Sequence, residues 1–167
     1  DEGTYIMNAK DLCMIDHIPE LLAAGVDSLK LEGRAKSSYY VAVVTNAYRS
    51  AVDAYLQQPE GFVLPEWIRE EVYKVSHRGY CTGFFFGKPE AGQRYTDNSY
   101  DRSFDVIAIA DDWRDGMLYV TQRNRFFAED TVELLAPERQ PITIPLNGNL
   151  FDETGERITV ANHAMMA

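Results

Sequence analysis

A group of charged residues early in the sequence follows a short apolar run. Glu32, Gly33, Arg34 and Lys36 stand between the apolar segment LKL and a long helical pattern. The planar guanidinium of Arg34 suits a carboxylate or a phosphate, and Lys36 adds a positive charge where a helix begins. Glu32, Arg34 and Lys36 are therefore predicted to bind an anionic substrate. The alternative is structural, because Glu32 could instead form an ion pair with Arg34 or Lys30.

The two cysteines offer a second kind of chemistry. Cys13 and Cys81 lie far apart and form neither a disulfide framework nor a zinc-binding pattern. Both are predicted to be free thiols. Taken from the residues alone, Cys13 is a small buried side chain on an amphipathic helix.

The histidines and serines give no hydrolytic motif. His17, His77 and His163 are scattered, and the sequence has no HExxH motif, no nucleophile elbow and no paired-acid spacing. The residues by themselves therefore disclose no peptidase mechanism.

Two segments combine aromatic and basic residues. HRGYCTGFF, beginning at His77, could contact substrate or nucleic acid, although consecutive phenylalanines favour packing of the barrel's base against the following domain. Arg123, Asn124 and Arg125 are the RNA-binding candidates of the C-terminal part. Residues 101–167 hold 12 acidic and 6 basic side chains, and this acidity opposes RNA phosphates. The composition therefore favours a packing or partner-docking module there over direct RNA binding.

The N-terminal half has helical periodicity that would position these residues. An amphipathic helix is predicted after residues 8–11, with apolar positions from Leu12 to Leu22, an interruption near Pro19 and Gly25 as its cap. A strand follows at 26–31. A second helix begins at Ser37 or Ser38 and runs to Tyr55, and a third spans 65–75.

The sequence pattern of the C-terminal half is typical of a β domain. Short apolar runs alternate with turn residues such as Asn-Gly and Asp-Gly, and no helical pattern separates them. Regular short strands of this kind predict a small antiparallel β barrel. The predicted strands are 104–110, 117–122, 131–135, 142–146 and 158–160.

The predicted fold class is α+β, with two parts. Residues 1–87 are expected to be the truncated, mainly helical C-terminal part of a TIM-like (β/α) barrel, since a parallel-type strand at 26–31 needs partner strands. Residues 88–103 are a linker by composition, and 104–167 are the β barrel. Charged side chains at the C-terminal end of a barrel strand face the ligand site, which is where Glu32 and Arg34 would lie. An unpaired strand also predicts a homodimer.

Charge and hydropathy exclude some functions. The 167 residues include 26 acidic and 16 basic side chains, a net charge of −10, so no global basic field attracts nucleic acid. No run of about 18 apolar residues could span a membrane. We therefore expect no membrane partner and a cytoplasmic location.

Three segments resemble a known family. NAKDLCMIDHIPELLAAGVDSLKLEGRAKSSYYVAVVTNAYR, HRGYCTGFF and VTQRNRFFAEDTVELLAP occur in the order found in the collagenase-like peptidases of peptidase family U32, whose catalytic type is unassigned. The resemblance runs from about residue 8 to 161. Some members are called peptidases or collagenases. Others resemble oxygen-independent hydroxylases of tRNA, ribosomal RNA or quinone precursors that hold an iron-sulfur cluster on four cysteines.

The resemblance implies a function for a longer parent protein. The subgroup with this C-terminal domain is most similar to enzymes that hydroxylate the wobble uridine of tRNA with prephenate. In that case the parent holds a 4Fe-4S cluster, and Cys13 is the last of its four ligands, whereas Cys81 has no assigned role. This chain alone is expected to bind no cluster and to be inactive. Peptide hydrolysis is the alternative, and a further one is a β domain that only recognises RNA or protein.

Overall fold

The described residues form two compact units. The computed structural model describes residues 8–88, 92, 100, 101 and 103–162. Unit 1 extends to Phe104 and includes Pro137–Arg139, and unit 2 comprises Asp105–Ala136 and the residues from Gln140 onward. The predicted linker lies mostly outside the described residues, so its extent stays a prediction. Unit 1 contains, in chain order, β1 (Asp11–Leu12), a short 3₁₀ helix (Ile15–His17), α1 (Ile18–Ala23), α2 (Ser38–Gln57), α3 (Glu66–Lys74) and β2 (Tyr80–Cys81).

The two longer helices of unit 1 begin where local signals predict. Ser37 is the N-cap of α2, and its hydroxyl accepts a hydrogen bond from the Tyr40 N–H at 3.2 Å. Pro65 occupies the N-cap position of α3, as the sequence suggests. Both predicted helices are confirmed. Their apolar faces meet in a core formed by Ile15, Ile18, Leu21, Ala47, Ala51, Leu64, Ile68 and Val72.

The predicted helix from Leu12 to Gly25 is wrong over its first residues. Asp11 and Leu12 form β1 and pair in parallel with Tyr80 and Cys81 of β2. The backbone N–H of Asp11 donates to the Gly79 carbonyl at 2.9 Å. Helical spacing is a weak preference that tertiary pairing overrides, so the helical structure begins only at Ile15.

The predicted strand at 26–31 is also wrong. Among the described residues no strand pairs with this segment, and extended backbone without a ladder leaves its polar groups unsatisfied. Val26 instead donates its N–H to the Leu21 carbonyl at the end of α1, and Leu29 packs against the core of unit 1. The strand that motivated a homodimer is therefore not formed, and the dimer itself stays a prediction.

Unit 2 is a β domain made of two-stranded antiparallel sheets. β3 pairs with β4, β5 with β8, and β6 with β7. Phe126, Ala128, Leu150 and Ala161 form its buried core. The class α+β is confirmed, but a closed barrel is not formed by the described residues, because short strands join only in pairs. Its strands are β3 (Ala108–Arg114), β4 (Met117–Gln122), β5 (Phe126–Phe127), β6 (Thr131–Leu134), β7 (Ile142–Pro145) and β8 (Val160–Ala161).

The first strand of unit 2 ends four residues later than predicted. Predicted to end at residue 110, it continues to Arg114, with an irregularity in the pairing between Ala110 and Asp112. Asp115 and Gly116 then make the turn, with φ of 53° and 77°. Positive φ at both central residues is the requirement of a tight two-residue hairpin turn. This Asp-Gly pair closes the hairpin, whereas the two aspartates before it belong to the strand.

None of the helices in the described part of the chain has the length and apolar character that a membrane-spanning segment requires.

Truncation of Ile68 tests the core of unit 1. Ile68 on α3 is 0% exposed, and Leu56 on α2 is 63% exposed. Ile68→Ala should lower the free energy of unfolding by about 2 to 5 kcal/mol, because the core keeps part of the cavity. Leu56→Ala is the control and should change that free energy by less than about 0.5 kcal/mol. Urea unfolding followed by far-ultraviolet circular dichroism measures both, and equal losses would contradict this core.

Candidate functional site

The thiol of Cys13 lies directly after β1 and faces helix α2. The backbone N–H of Cys13 donates to the Cys81 carbonyl at 2.9 Å, which continues the pairing of β1 with β2. The Cys13 sulfur lies 3.6 Å from the Tyr48 hydroxyl oxygen. The same oxygen accepts the Met14 N–H at 2.8 Å. Two neighbouring residues of the chain are thus held by a single phenol from α2.

Burial governs the protonation of this pair. It raises the pKa of the Cys13 thiol, while hydrogen bonds from the Ile15 backbone and the Tyr48 side chain oppose the shift. Burial is also the main cause that raises the pKa of Tyr48, and the nearby Cys13 adds to it. Both groups are therefore protonated at neutral pH when no metal is bound. Metal binding at Cys13 would have to release the thiol proton.

Two further tyrosines lie within electrostatic reach of Cys13. Burial raises the pKa of both Tyr40 and Tyr80, and the charges of Cys13 and Asp11 act on each in the same direction. The Tyr80 hydroxyl donates to the Val72 carbonyl at 2.6 Å. We call Tyr40, Tyr48 and Tyr80 the tyrosine cluster. Cys13, Tyr48 and Tyr80 all pack against the apolar core of unit 1.

Two cations lie beside the tyrosine cluster. Lys36 donates from Nζ to the Ser76 carbonyl at 2.8 Å, and Nζ is 5.1 Å from the ring centre of Tyr40. Lys36 Nζ and the Arg78 guanidinium carbon lie 4.4 and 5.3 Å from the ring centre of Tyr100. Such distances are typical of cation–π contacts. Lys36 and Arg78 therefore share one aromatic ring.

Arg78 is also tied to the beginning of β1. It donates to the Asn8 side-chain oxygen at 3.1 Å and forms an ion pair with Asp11 at 3.5 Å. Its Nε–H is buried and, within the described part of the chain, has no hydrogen-bond partner. Sequence reasoning placed Arg78 in a packing segment and missed its proximity to the ring that Lys36 contacts. The only signal was the alternation of basic and aromatic residues in HRGYCTGFF.

Glu32 and Arg34 form a local turn on the surface. The Glu32 carboxylate accepts the backbone N–H of Arg34 at 2.9 Å, so its contact is with the backbone and not with the guanidinium. Both side chains are exposed. A side chain at Gly33 would place its Cβ 2.5 Å from a methyl carbon of Val41. Glycine is required there because the turn passes close to the first part of α2.

The basic group of unit 2 divides into two roles. Asn124 donates from its side chain to the Val106 carbonyl at 2.6 Å, and its backbone N–H donates to the Ile107 carbonyl at 3.0 Å. Asn124 is thus part of the turn after β4. The side chains of Arg123 and Arg125 are exposed, and the Arg125 guanidinium carbon lies 5.5 Å from the ring centre of Phe127.

The phenylalanine run does not join the core of unit 1, and its packing against the following domain stays a prediction. Phe84, Phe85 and Phe86 are 78%, 59% and 61% exposed. They lie in the turns after β2, where the backbone N–H of Phe85 donates to the Thr82 carbonyl. Phe86 contacts the His17 ring with centres 4.5 Å apart. Turn geometry directs these rings away from the core.

The described residues fit an iron-sulfur cluster only in part. They contain no group of three or more His, Cys, Asp or Glu side chains that could hold a metal ion. A cluster of the predicted kind needs about four thiolates, and the sequence has two cysteines. Cys13 suits the role of one ligand, because it is a free thiol beside the Tyr48 hydroxyl. The remaining ligands would have to come from outside this sequence.

Comparison with known proteins identifies the family. The model described as Peptidase family U32 matches residues 1–95, and the model of the Peptidase family U32 C-terminal domain matches residues 102–167. The chain belongs to peptidase family U32. The resemblance recognised in the sequence is confirmed.

Curated relatives carry two kinds of name. The chain is 36% identical to tRNA hydroxylation protein P1 of Bacillus subtilis over 99% of its own length and 40% of the relative's. It is 34% identical to tRNA hydroxylation protein P of Haemophilus influenzae, covering 81% of the chain and 30% of the relative. It is also 40% identical to a protein of Methanocaldococcus jannaschii named as an uncharacterized protease, over 68% of the chain and 26% of that protein. The chain thus spans less than half of each relative. No solved structure matches it.

The tyrosine cluster predicts a loss of stability in alkaline solution. The pKa values of Tyr48 and Tyr80 are raised by burial above the ordinary tyrosine value of about 10. As the pH rises beyond that value, the unfolded chain loses these protons before the folded one does, so the free energy of unfolding falls. Replacing both residues by phenylalanine should make this fall shallower.

Urea unfolding at several pH values from about 9 to 11 checks this alkaline effect. Comparison with the unmodified chain gives the difference in slope, and each single replacement should remove part of it. An unchanged slope in the double variant would show that the two buried phenols do not govern alkaline stability.

Proposed function

We propose that this chain is part of a tRNA-hydroxylating enzyme, to which it contributes one cluster thiolate and contacts for an anionic co-substrate. The observation that carries the proposal is the setting of Cys13, a free thiol 3.6 Å from the Tyr48 hydroxyl. Two relatives whose matches cover 99% and 81% of the chain are named tRNA hydroxylation proteins. A tRNA substrate would also place the enzyme in the cytoplasm.

Cys13 is the proposed ligand of a 4Fe-4S cluster in the full-length protein, by which we mean a protein of the length of these relatives. When bound, such a cluster supplies one-electron chemistry for a hydroxylation that uses no molecular oxygen. The protein residues have a different task. The neighbouring backbone contacts fix Cys13 at the end of β1, and the tyrosine cluster restricts the access of water to the sulfur.

Lys36 and Arg78 are the proposed contacts for the co-substrate. Prephenate carries carboxylate groups, for which an ammonium ion and a guanidinium are suitable partners. The Lys36 ammonium has three N–H donors and gives one to the Ser76 carbonyl, so donors remain for an anion. The buried Nε–H of Arg78 supports the same role, since a buried donor normally has an acceptor. Glu32 and Arg34 stay candidates at the surface, where the Arg34 guanidinium is accessible to a carboxylate or an RNA phosphate.

Peptide hydrolysis is the second candidate function, and the protease name of one relative favours it. Of the described histidines, His17 contacts Glu20 and Phe86, and His77 contacts Gly79 and two tyrosine rings. None of these contacts involves a serine or cysteine, so they do not form a nucleophile–base pair. His163 lies outside the described residues. The proposal therefore favours hydroxylation over hydrolysis.

Unit 2 is proposed to be a recognition module of the same enzyme. Arg123 and Arg125 project from the turn that Asn124 closes, and they are the candidates for RNA phosphates. The acidic surroundings limit this role to a local contact. A protein partner is the alternative for this module.

The two cysteines allow a matched test of the cluster ligand. The full-length protein with Cys13→Ala should lose the visible absorbance of an anaerobically reconstituted cluster, because a thiolate ligand is removed. Cys81→Ala removes the other half-buried thiol, on the neighbouring strand, and should keep the absorbance. Iron and sulfide content should follow the same order.

Two outcomes would refute this cluster assignment. The first is a colourless unmodified full-length protein after reconstitution, and the second is a Cys13→Ala variant with full cluster content. Gelatin hydrolysis by rigorously purified protein that survives Cys13→Ala but is lost in Arg34→Ala would favour the peptidase.

The arginines of unit 2 can be tested through salt dependence. Arg123→Ala with Arg125→Ala should weaken tRNA binding by the full-length protein and lower the slope of log affinity against log salt by about 1.5 to 2, if each arginine meets one phosphate. Arg114→Ala with Arg157→Ala is the control of equal charge change in the same unit. Both control side chains already contact neighbours, an aspartate and an asparagine. If both double variants weaken tRNA binding equally, the loss comes from the change in net charge, and a specific contact of Arg123 and Arg125 with phosphates is refuted.

A further inference from the structure

Three exposed phenylalanine rings follow β2 and have no role in the proposed function. Phe84, Phe85 and Phe86 are 78%, 59% and 61% exposed. Phenylalanine is among the side chains most often buried, and neighbouring exposed apolar side chains commonly mark a binding surface. The three rings are not part of the core of unit 1, so the group that covers them lies outside that core.

The backbone holds these rings on an ordered turn. The N–H of Phe85 donates to the Thr82 carbonyl at 3.3 Å, and the N–H of Gly87 donates to the Phe84 carbonyl at 3.2 Å. Gly83 begins the turn with a φ of 58°, a conformation that favours glycine. A surface that is ordered before binding loses less entropy when a ligand binds to it.

The turn lies at the carboxyl end of the parallel strands β1 and β2. It begins just after β2, as Cys13 follows β1, and the Cys13 N–H donates to the Cys81 carbonyl at 2.9 Å. The Phe86 ring contacts the His17 ring, which follows β1, with ring centres 4.5 Å apart. Ligands of α/β proteins bind at the carboxyl ends of parallel strands. The exposed rings and Cys13 thus share the end of the sheet at which a substrate would bind.

The chemistry of this surface suits the flat face of a base. A phenylalanine ring offers neither a charge nor a hydrogen bond to a phosphate, but an unpaired base of RNA can stack on it. Stacking requires no cation and is therefore compatible with a chain of net charge −10. The nearby carboxylates already have partners, since Asp16 pairs with Arg69 at 2.7 Å and Glu20 contacts His17 at 3.2 Å. These contacts lower the repulsion that an RNA phosphate would meet there.

We propose that Phe84, Phe85 and Phe86 form a stacking surface for an unpaired base of tRNA. This rests on the proposed function, because the tRNA substrate comes from it. Phe84 is the most exposed of the three and offers the largest accessible face. Binding at this surface depends on ring faces and not on charge, which separates it from the phosphate contacts proposed for Arg123 and Arg125.

The test is tRNA binding by the full-length protein with two of the rings replaced. Phe84→Leu with Phe85→Leu keeps much of the apolar surface but removes the flat rings, and should weaken binding by at least about fivefold, the loss of one stacked base. Phe84→Tyr with Phe85→Tyr keeps the rings and should bind like the unmodified protein. Because stacking releases no counterions, the slope of log affinity against log salt should stay the same in both variants.

Trp113→Leu is the control for the loss of an exposed aromatic ring. Trp113 lies on β3 in unit 2, is 68% exposed, and stands in the acidic sequence DDWRD. Phosphates are repelled by such a segment, so this variant should bind tRNA like the unmodified protein. Thermal unfolding followed by circular dichroism should give the same melting temperature for all variants, because each replaced ring is exposed.

Failure of the stacking surface and failure of the proposed function give different results. A full-length protein that does not bind tRNA overturns both. If the leucine variant binds as tightly as the unmodified protein, or if the leucine and tyrosine variants lose affinity equally, the stacking surface is overturned and the proposed function stands. The rings would then serve for packing against another part of the protein. A loss confined to the leucine variant, with Trp113→Leu unchanged and the salt slope kept, supports the stacking surface.

Discussion

The parallel pairing of β1 with β2 is the constraint on which the site depends. The N–H groups of Asp11 and Cys13 each donate to a carbonyl of the other segment at 2.9 Å. The segments are far apart in sequence, so the chain pays the entropy of a long loop to bring them together. The pairing sets Cys13 beyond the last residue of β1, next to α2, and sets Arg78 just before β2, within reach of Asp11. A shift of register by one residue would turn these side chains to the opposite face.

Elements that depend on neighbouring residues could be predicted from the sequence, whereas elements that depend on residues far along the chain could not. Helices α2 and α3 were predictable because Ser37 and Pro65 act on their immediate neighbours. β1 was not, since its partner lies beyond both helices and the local spacing favoured a helix. The strand predicted at 26–31 was wrong because composition alone does not make a strand. The composition of this segment suits a strand, but a strand forms only where a neighbouring strand pairs with it. The family could be recognised because it depends on residue identity over the whole chain.

Sequence reasoning could propose single residues of the candidate site but not their arrangement. Cys13 and Lys36 were proposed from the sequence and stay predictions, whereas the meeting of Lys36 with Arg78 at Tyr100 requires the register of β2. This meeting also bears on how an acidic chain would hold the proposed anionic co-substrate. A net charge of −10 repels anions at long range, but salt screens that field within about 10 Å. Half-buried cations held against aromatic rings are screened less, so a local attraction can exceed the global repulsion.

The protonation of Cys13 results from two opposing effects on its pKa, of which burial is the larger. Burial holds the proton on the sulfur, while the Tyr48 hydroxyl stabilises the thiolate and lowers the pKa in part. Without a metal the thiol therefore stays protonated and weakly nucleophilic. A metal ion at Cys13, as proposed, would reverse this balance, because a coordinated thiol loses its proton outright. The Tyr48 hydroxyl would then lie beside a charged sulfur, to which a hydrogen bond is stronger than to a neutral one.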